Sequence, residues 1–215
     1  EGSGAFYLRL GGKVHQVAAF MGAASSDELY RGLMTHWRDP ESMTSFAEPP
    51  TMLTESSRLP KFEGVVNRMR YFDMVTELPD DILVKVDRAT MAVSLESRAP
   101  FLHPDIVEFA WRIPPSQQVR DGQGKWLLRQ VLYKYVPREL IERPKMGFGV
   151  PIASWLRGPL REWAEALAAA DRLEREGYLA PAPIRAAWNE HQSGASDNSH
   201  LLWGVLMFQA WLEAQ

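Results

Sequence analysis

The chain has 215 residues, of which 46% are hydrophobic and 24% charged, and its formal net charge is −3. This balance is typical of a globular protein that buries a core, and it argues against a protein that coats nucleic acid or an anionic membrane. Cysteine is absent from the sequence, which excludes disulfide scaffolds, thiolate metal sites and a cysteine nucleophile among these residues.

The longest uncharged apolar stretch, from Ser199 to Leu212, is shorter than the roughly 20 residues of a helix that spans a bilayer. No signal peptide is recognisable, so a cytoplasmic location is expected. The chain opens with Glu1-Gly2-Ser3-Gly4 instead of Met, which is typical of a cut or an artificial junction, and we therefore expect a fragment of a longer protein.

Apolar residues recur at steps of three and four through most of the chain, and long alternating patterns typical of strands are hard to find. The fold is therefore predicted to be mostly all-α. A first helical pair is expected over 13–24 and 27–38, with Ser26 as the N-cap of the second helix. A Pro-rich linker follows, which divides the prediction into residues 1–60 and 61–215.

The next two predicted helices have clear apolar faces. The first covers 62–78 and is expected to turn one stripe of side chains inward. The second begins at Pro79 and has an apolar line beside a charged one. The inward stripe consists of Val66, Met69, Phe72 and Val75, and the apolar line of the second helix consists of Ile82, Val86, Ala89 and Val93.

The remaining predicted elements are helices and one turn. They are helices over 105–112, 125–135, 159–170, 183–192 and 199–215, a short helix between Pro137 and Pro144, and a turn at 121–124. Glycines at 158, 177 and 194 mark breaks between helices. The last helix is apolar on more than one face, so it is predicted to be a buried central helix or a seam between subunits, and burial in the core is favoured.

A charged segment over 78–101 is the first candidate site. Its ionisable residues are Asp80, Asp81, Lys85, Asp87, Arg88, Glu96 and Arg98. Because single charges are costly to bury, we expect pairs such as Asp81 with Lys85 and Glu96 with Arg98. From the residues alone, a structural ion-pair network that supports helix ends and a turn at Pro100 is favoured over a functional site.

The segment 142–151 is the second candidate site. Gly147 and Gly149 allow the backbone to approach a ligand closely, and Lys145 supplies a point charge suited to phosphate. From Arg120 to Lys145, seven basic residues oppose three acidic ones, an excess that suits an anionic substrate. The residues alone slightly favour the alternative, a surface connection between helices with a solvated lysine.

Five histidines are scattered along the chain without a spacing that would bind a metal ion. No metal site built by these residues is therefore expected. Each histidine is interpreted as a surface or helix-end residue, and a Ser-His-Asp triad has no support in the sequence.

Three blocks of sequence, taken in order, are more specific than any single motif. They are LPDDILVKVDRATMAVSLESRAPFL at 78–102, GKWLLR at 124–129 and RPKMGFGVP at 143–151. Together they resemble the C-terminal part of the synthetase domain of glutamine-hydrolysing asparagine synthetases. The resemblance runs continuously from about Phe62 to Trp163.

This resemblance implies a fold and a reaction. The fold would be the helical C-terminal portion of an α/β synthetase domain of the ATP pyrophosphatase type, similar to the adenine-nucleotide α-hydrolases, whose parallel sheet lies upstream. The reaction would be that of an ATP- and Mg2+-dependent ligase. It would adenylate the side-chain carboxylate of aspartate, release pyrophosphate, and transfer ammonia from an upstream glutaminase domain to give asparagine and AMP.

The resemblance also implies roles for particular residues. Lys145 matches the family lysine that contacts the phosphates and stabilises the charge that develops on them, and it is the expected catalytic residue. The residues expected to line or support the cleft for ATP, pyrophosphate or substrate are Lys85, Asp87, Arg88, Glu96, Arg98, Gly147 and Gly149. His103 stands where the family often has an aspartate.

The sequence departs from the family pattern in ways that affect this expectation. The catalytic cysteine of the glutaminase domain, the Ser-Gly-Gly-x-Asp-Ser pyrophosphate loop and the Ser-Gly-Glu-Gly-x-Asp-Glu segment are missing, and all three lie upstream in the family. ATP and Mg2+ would therefore be bound mainly by upstream residues. The isolated chain is expected to be inactive.

Two alternatives remain open at this point. The chain could be a stand-alone helical interaction module that uses its apolar last helix to bind a partner or to form a homodimer. It could also belong to an amidating synthetase that acts on another carboxylic acid, such as a sugar acid of a polysaccharide. Neither a nucleic-acid partner nor a membrane partner is expected, since the basic segment also contains acids and a long apolar face.

Overall fold

The computed structural model describes residues 22–37, 39–55, 59–143 and 149–215. These residues divide into two compact units. The bundle unit contains the described residues up to Val75 together with Val150–Gln215, and the hairpin unit contains Thr76–Gly149.

The described residues are mostly helical, which confirms the predicted fold class. The α-helices are α1 (Ser26–Met34), α2 (Val65–Val75), α3 (Val84–Met91), α4 (Pro104–Arg112), α5 (Pro115–Gln118), α6 (Trp126–Leu132), α7 (Arg138–Ile141), α8 (Ile152–Arg157), α9 (Arg161–Leu167), α10 (Ala170–Glu176), α11 (Pro181–Ser193) and α12 (Ser199–Glu213). Two 3-10 helices cover Pro40–Ser42 and Pro100–Leu102, and a π-helix covers Leu78–Leu83. Strands β1 (Val119–Arg120) and β2 (Gln123–Gly124) form an antiparallel hairpin.

The N-terminus of α1 corrects one predicted cap. Ser25, and not Ser26, is the N-cap, because its hydroxyl oxygen accepts the backbone N–H of Glu28 at 3.2 Å. The Glu28 carboxylate in turn accepts the backbone N–H of Ala24 at 2.8 Å, so two otherwise unpaired donors are satisfied. The preceding predicted helix, 13–24, lies outside the described residues except at its last three positions, which are not helical.

Helix α2 packs against α1 through one buried aromatic residue. The Phe72 ring stacks on Tyr30 with 5.0 Å between the ring centroids, and the Tyr30 hydroxyl donates to Asp73 at 2.5 Å. Arg68 forms an ion pair with Asp27 of α1. Of the predicted inward stripe only Phe72 is buried, and Val66 is exposed. The prediction is therefore wrong for Val66, because among the described residues α2 contacts α1 through the face that holds Arg68 and Phe72.

The predicted helix from Pro79 begins as a π-helix and becomes the α-helix α3 at Val84. Pro79 has no backbone N–H, so the regular hydrogen-bond ladder is interrupted where the helix widens. The apolar line of this helix does not reach a core in the described chain. Ile82, Val86 and Val93 are all exposed.

The core of the bundle unit is formed by the helices α8 to α12. Its buried side chains are Met43, Leu156, Ala164, Leu167, Ala168, Leu173, Ile184, Ala187, Trp188, Leu202, Val205 and Leu206. Met43 reaches this core from the loop after the first 3-10 helix, where its carbonyl accepts the backbone N–H of Ala180 at 2.8 Å.

Helix α12 completes this core, as the sequence favoured. It buries Leu202, Val205, Leu206 and Gln209 against α8, α9 and α11. Gly177 and Gly194 end α10 and α11 in the left-handed conformation, with φ of 74° and 79°. In the part of the chain that the structure describes, none of the helices has the length and apolar character needed to cross a membrane.

Candidate functional site

The charged segment lies in the hairpin unit and contains both expected ion pairs. The Lys85 Nζ is 4.0 Å from the Asp81 Oδ1, one helical turn away. After α3 the chain turns at Ser94, whose φ is 59°, and an extended stretch follows. There the Arg98 Nη2 lies 2.9 Å from the Glu96 Oε1. Both predicted pairs are therefore confirmed.

These pairs are on the surface of the described chain. The Lys85 and Arg98 side chains are 64% and 83% exposed. Asp87 and Arg88 are also exposed on α3, one position apart, so they point about 100° away from each other around the helix. Exposed ion pairs of this kind contribute little stability each, which fits residues that shape a surface and not a core.

The second candidate segment is only partly described. Lys145 and Gly147 lie outside the described residues, and their predicted roles stay predictions. Gly149 is described and exposed, and a Cβ atom built on it would meet no other atom within 4 Å. The space beside this backbone is therefore open in the described chain.

The residue that leads into this segment, Glu142, has a dense set of polar contacts. Its Oε1 accepts from the Arg129 Nη1 at 2.8 Å, from the Gln123 Nε2 at 3.1 Å and from the Tyr133 hydroxyl. Hydrogen bonding from Tyr133 and the charge of Arg129 lower the pKa of the Glu142 carboxyl below its ordinary value. Tyr133 and the Glu142 carboxylate raise the pKa of Arg129 above its ordinary value.

The predicted turn at 121–124 is the tip of the hairpin. Asp121 and Gly122 have φ of 52° and 75°, the left-handed values that a two-residue hairpin turn requires, so Gln123 and Gly124 already belong to β2. Next to the hairpin, the Arg120 guanidinium lies 4.9 Å from the Trp126 ring centroid. Arg138 lies 4.4 Å from the Tyr133 ring centroid.

These contacts show how the basic segment is arranged. Arg120 and Arg138 stack on aromatic rings, and Arg129 pairs with Glu142. Because this ion pair neutralises one basic and one acidic residue, the excess of basic over acidic residues between Arg120 and Lys145 is unchanged. The network itself cannot be read from the sequence, in which Glu142 and Arg129 are only two of the charged residues between Arg120 and Lys145.

The histidines differ from one another. His103 is the N-cap of α4, where its Nδ1 accepts the backbone N–H of Asp105 at 3.3 Å, as expected of a helix-end residue. His191 lies in the last turn of α11, but its ring is fully buried. The surface interpretation is wrong for His191, because α8 and the loop before α12 cover that end of the helix. Among the described residues, no group of three or more His, Asp or Glu could hold a metal ion.

The comparison with protein families decides where this chain belongs. The family model described as asparagine synthase matches residues 7–213, which is nearly the whole chain. The chain belongs to the asparagine synthase family. The match extends beyond the three blocks of the sequence analysis, into the first helices and α12.

Individual relatives carry names that agree with the family. A Mycobacterium tuberculosis protein with the provisional name asparagine synthetase (glutamine-hydrolyzing) is 43% identical over 148 residues, which are 68% of this chain and 22% of that protein. Asparagine synthetase (glutamine-hydrolyzing) 1 of Bacillus subtilis is 35% identical over 161 residues, 75% of this chain and 24% of the relative. The asparagine synthetase (glutamine-hydrolyzing) of Gallus gallus is 30% identical over 145 residues, 66% of this chain and 22% of the relative.

The matching region therefore spans less than a quarter of the length of these relatives. No solved structure matches the chain.

Proposed function

We propose that this chain is part of a glutamine-dependent asparagine synthetase. In the first step, an oxygen of the aspartate side-chain carboxylate attacks the α-phosphorus of ATP, and pyrophosphate leaves. In the second, ammonia released from glutamine attacks the acyl carbon and loses a proton, and AMP leaves to give asparagine. The observation that carries this proposal is the match of the asparagine synthase model to residues 7–213.

Lys145 is the residue we assign to the chemistry of the first step. A cation aimed at the phosphates stabilises the negative charge that develops as pyrophosphate departs. The described residues before it support this assignment, because the segment from Arg120 has an excess of basic residues. Glu142, the acidic residue nearest to Lys145 in the sequence, forms an ion pair with Arg129 at 2.8 Å, so its negative charge is balanced.

We propose that most residues of the charged segment support the cleft and do not line it. Lys85 forms an ion pair with Asp81, and Arg98 forms one with Glu96. Asp87 and Arg88 are the residues of this segment that we propose face substrate or a covering part of the protein. Gly147 and Gly149 would let the backbone approach the phosphates.

The described residues do not fit a magnesium site by themselves, because they contain no acidic cluster that could hold the ion. We therefore assign the Mg2+ that accompanies ATP to other parts of the protein.

The test is Lys145→Ala in the protein expressed from its complete gene. We expect aspartate-dependent release of pyrophosphate to be abolished, whereas glutamine hydrolysis stays measurable. Lys61→Ala is the matched control, since Lys61 is exposed just after the Pro-rich linker and its loss should leave both activities unchanged. Near-normal synthetase turnover of the Lys145→Ala variant would remove Lys145 from the mechanism.

The acceptor acid needs its own experiment. We would compare pyrophosphate release with aspartate and with a panel of sugar acids. Release with aspartate alone supports the proposal. Release only with a sugar acid would assign the chain to an amidating synthetase of different specificity.

One observation favours the second candidate function, a helical interaction module. Trp211 of α12 is 56% exposed, and its ring lies 5.9 Å from Phe208. Tyr178 and Phe46 continue this row of aromatic rings. Concentration-dependent dimerisation that is lost on Trp211→Glu, with the fold kept, would support this function. A monomer at all concentrations would argue against it.

A further inference from the structure

The C-terminal end of α11 is fastened to α8 and to the loop that leads into α12. This loop covers residues 194–198 and is called the α11–α12 loop below. Arg157, the last residue of α8, donates from its Nε to the His191 carbonyl at 2.7 Å. Its Nη2 donates to the Ser196 carbonyl in the loop at 3.2 Å. One guanidinium therefore joins α8, the end of α11 and the loop at a single corner of the bundle unit.

The ring of His191 lies in this corner and has no exposure to solvent. Its Nδ1 accepts the backbone N–H of Asn198 at 3.2 Å, so the neutral ring carries its proton on Nε2. The Nε2 atom is buried, and no described residue accepts its proton in good geometry. Buried polar atoms in folded proteins are nearly always paired, so an incompletely paired ring at this position calls for an explanation other than stability.

A second proton on this ring would enter an unfavourable place. It would bind to Nδ1, which already faces the Asn198 N–H and lies 3.4 Å from the Arg157 Nη2. The backbone of Ala153 on α8 and the Asp197 carboxylate, 3.7 Å away, favour the protonated form. Burial and the charge of Arg157 outweigh them, and the pKa of His191 is lowered. Proton uptake therefore works against the closed corner.

The acidic groups near the ring already hold other donors. Glu190, in the last turn of α11, accepts from the Asn198 side-chain amide at 3.2 Å. The Asp197 Oδ1 accepts the backbone N–H of Ser199 at 3.1 Å. His200, in the first turn of α12, is exposed. If the Asp197 carboxylate turned toward a protonated ring, the N-terminus of α12 would lose the contact at Ser199.

The α11–α12 loop can leave this corner without opening the core. Residues 194–197 are exposed, and none of them belongs to the buried core of the bundle unit. Segments that are held by polar contacts and bury few apolar groups open locally, at a lower free energy than global unfolding. Loss of the contacts to His191 and Arg157 would therefore release the loop before the helices separate.

We propose that His191 and Arg157 form an acid-sensitive latch, in which uptake of a proton at the His191 Nδ1 releases the α11–α12 loop from α8 while the core of the bundle unit stays folded. This inference depends on contacts within the bundle unit and not on the proposed function. In the open latch the ring reaches water, where a histidine titrates near its ordinary pKa of about 6.5. The equilibrium constant for opening therefore rises by up to about 10-fold for each pH unit below that value, until the ring in the closed latch binds the proton as well.

The experiment is amide hydrogen exchange of the complete protein, followed by mass spectrometry over a series of pH values. Each exchange rate is divided by the intrinsic rate at the same pH to give the protection of the amide. The amides of Asn198 and Ser199 should be at least about 10-fold less protected than those of Val205 and Leu206 in α12, because they exchange by local opening. Acidification from about pH 7.5 to about pH 5.5 should lower the protection of the first two amides by up to about 10-fold.

His191→Gln tests the titrating group. A glutamine takes up no proton, and its side-chain oxygen can still accept the Asn198 N–H, so protection of the loop should change less than about 2-fold with pH. His200→Gln is the matched control, since it removes an exposed histidine and should keep the pH dependence of the unmodified protein. If His191→Gln fails to fold, Arg157→Gln removes the guanidinium. The loop should then be less protected at pH 7.5 already, and its dependence on acid should be weaker.

Three results would overturn the latch. Equal protection of the loop and core amides would mean that the corner opens only by global unfolding. Loop protection that changes less than about 2-fold between the two pH values would mean that proton uptake does not release the loop. An unchanged dependence on acid in His191→Gln would assign the effect to another group. None of these results bears on the proposed role of Lys145, which Lys145→Ala tests separately.

Discussion

The two units of this chain are stabilised in different ways. All the fully buried side chains among the described residues belong to the bundle unit, with Trp188, Leu156 and Leu206 among the largest. In the described part of the hairpin unit, every residue keeps some exposure to solvent. Yet the hairpin unit contains every described residue that the sequence proposed for the site. Packing and proposed chemistry thus belong to different parts of the chain.

The polar contacts of the two units differ in the same way. In the bundle unit they close the core: the Trp188 indole N–H donates to Glu165, and the Gln209 Nε2 donates to Glu176 at 2.6 Å and to the Leu167 carbonyl at 3.3 Å. In the hairpin unit, where no described residue is buried, polar contacts such as those of Glu142 join the helices and the hairpin. Substitutions in the bundle unit should therefore act on stability, and those in the hairpin unit on local geometry.

The largest expected effect comes from the centre of the bundle core. Trp188 is 1% exposed, so Trp188→Ala removes a large buried ring and leaves Glu165 without its indole donor. We expect the free energy of unfolding of the bundle unit to fall by about 3 to 5 kcal/mol. Hydrogen exchange of the α11 and α12 amides measures it. The control Trp211→Ala removes an exposed ring and should cost less than about 1 kcal/mol; equal losses would contradict the description of the core.

A smaller effect is expected from the pH dependence of the bundle unit. Burial, and then the Arg157 guanidinium, lower the pKa of His191, while the backbone of Ala153 and the Asp197 carboxylate oppose the shift. The geometry agrees, since the His191 Nδ1 accepts the backbone N–H of Asn198 at 3.2 Å and lies 3.4 Å from the Arg157 Nη2. A proton on this nitrogen would face two donors.

The direction of this pH dependence follows from the protonation of His191 in the folded and unfolded states. The unfolded histidine binds a proton below about pH 6.5, where the folded one does not, so stability is present above that pH and is lost as the pH falls toward the folded pKa. The slope is at most about 1.4 kcal/mol per pH unit. Urea unfolding at a series of pH values should show this slope, His191→Gln should flatten it, and His200→Gln, an exposed control, should keep it. A slope unchanged in the His191 variant would refute this assignment.

Substituting glycines of the bundle unit should change its free energy of unfolding by a similar or smaller amount than the titration of His191. Gly194 ends α11 with φ of 79°, a conformation that costs alanine about 1 kcal/mol. Gly194→Ala should therefore destabilise the unit by about that amount. Gly204 lies within α12, where a Cβ would meet nothing within 4 Å, so Gly204→Ala should be neutral or stabilising. Thermal unfolding of both variants measures the two changes in stability. Destabilisation by Gly204→Ala alone would contradict both predictions.

The smallest effect is expected in the hairpin unit. Asp81→Asn removes the exposed pair with Lys85, whose atoms are 4.0 Å apart, and should change the local stability of α3 by no more than about 0.5 kcal/mol. Hydrogen exchange of the α3 amides in high and low salt would detect it. A loss above about 2 kcal/mol would mean that this pair is buried in the complete protein, and it would end the contrast between the two units.

The sequence predicted the helical class, the order of most helices and both ion pairs of the charged segment, because these depend on short-range periodicity and on spacings of two or four residues. It missed α8 and α10, which are six and seven residues long. It also misplaced the cap of α1 by one residue, since Ser25 and Ser26 are both suitable caps and only the hydrogen bond to Glu28 distinguishes them.

The features that the sequence could not show depend on contacts distant in the chain. His191 is buried because Arg157, 34 positions earlier, donates to its carbonyl at 2.7 Å and α8 covers it. The Glu142 network joins residues up to 19 positions apart. Charge counting found the excess of basic residues but could not pair them, and the exposed line of Ile82 and Val86 shows that an apolar pattern does not identify its partner.

The central claim, that this chain belongs to an enzyme that adenylates a carboxylate, has a direct chemical test. The complete protein is given ATP, glutamine and aspartate whose side-chain carboxylate has a heavy-oxygen label, and the nucleotide product is analysed by mass spectrometry. Because the attacking carboxylate oxygen stays on phosphorus when ammonia displaces the nucleotide, the account predicts one labelled oxygen in AMP and none in pyrophosphate. Formation of ADP and phosphate, or of AMP without the label, would contradict it.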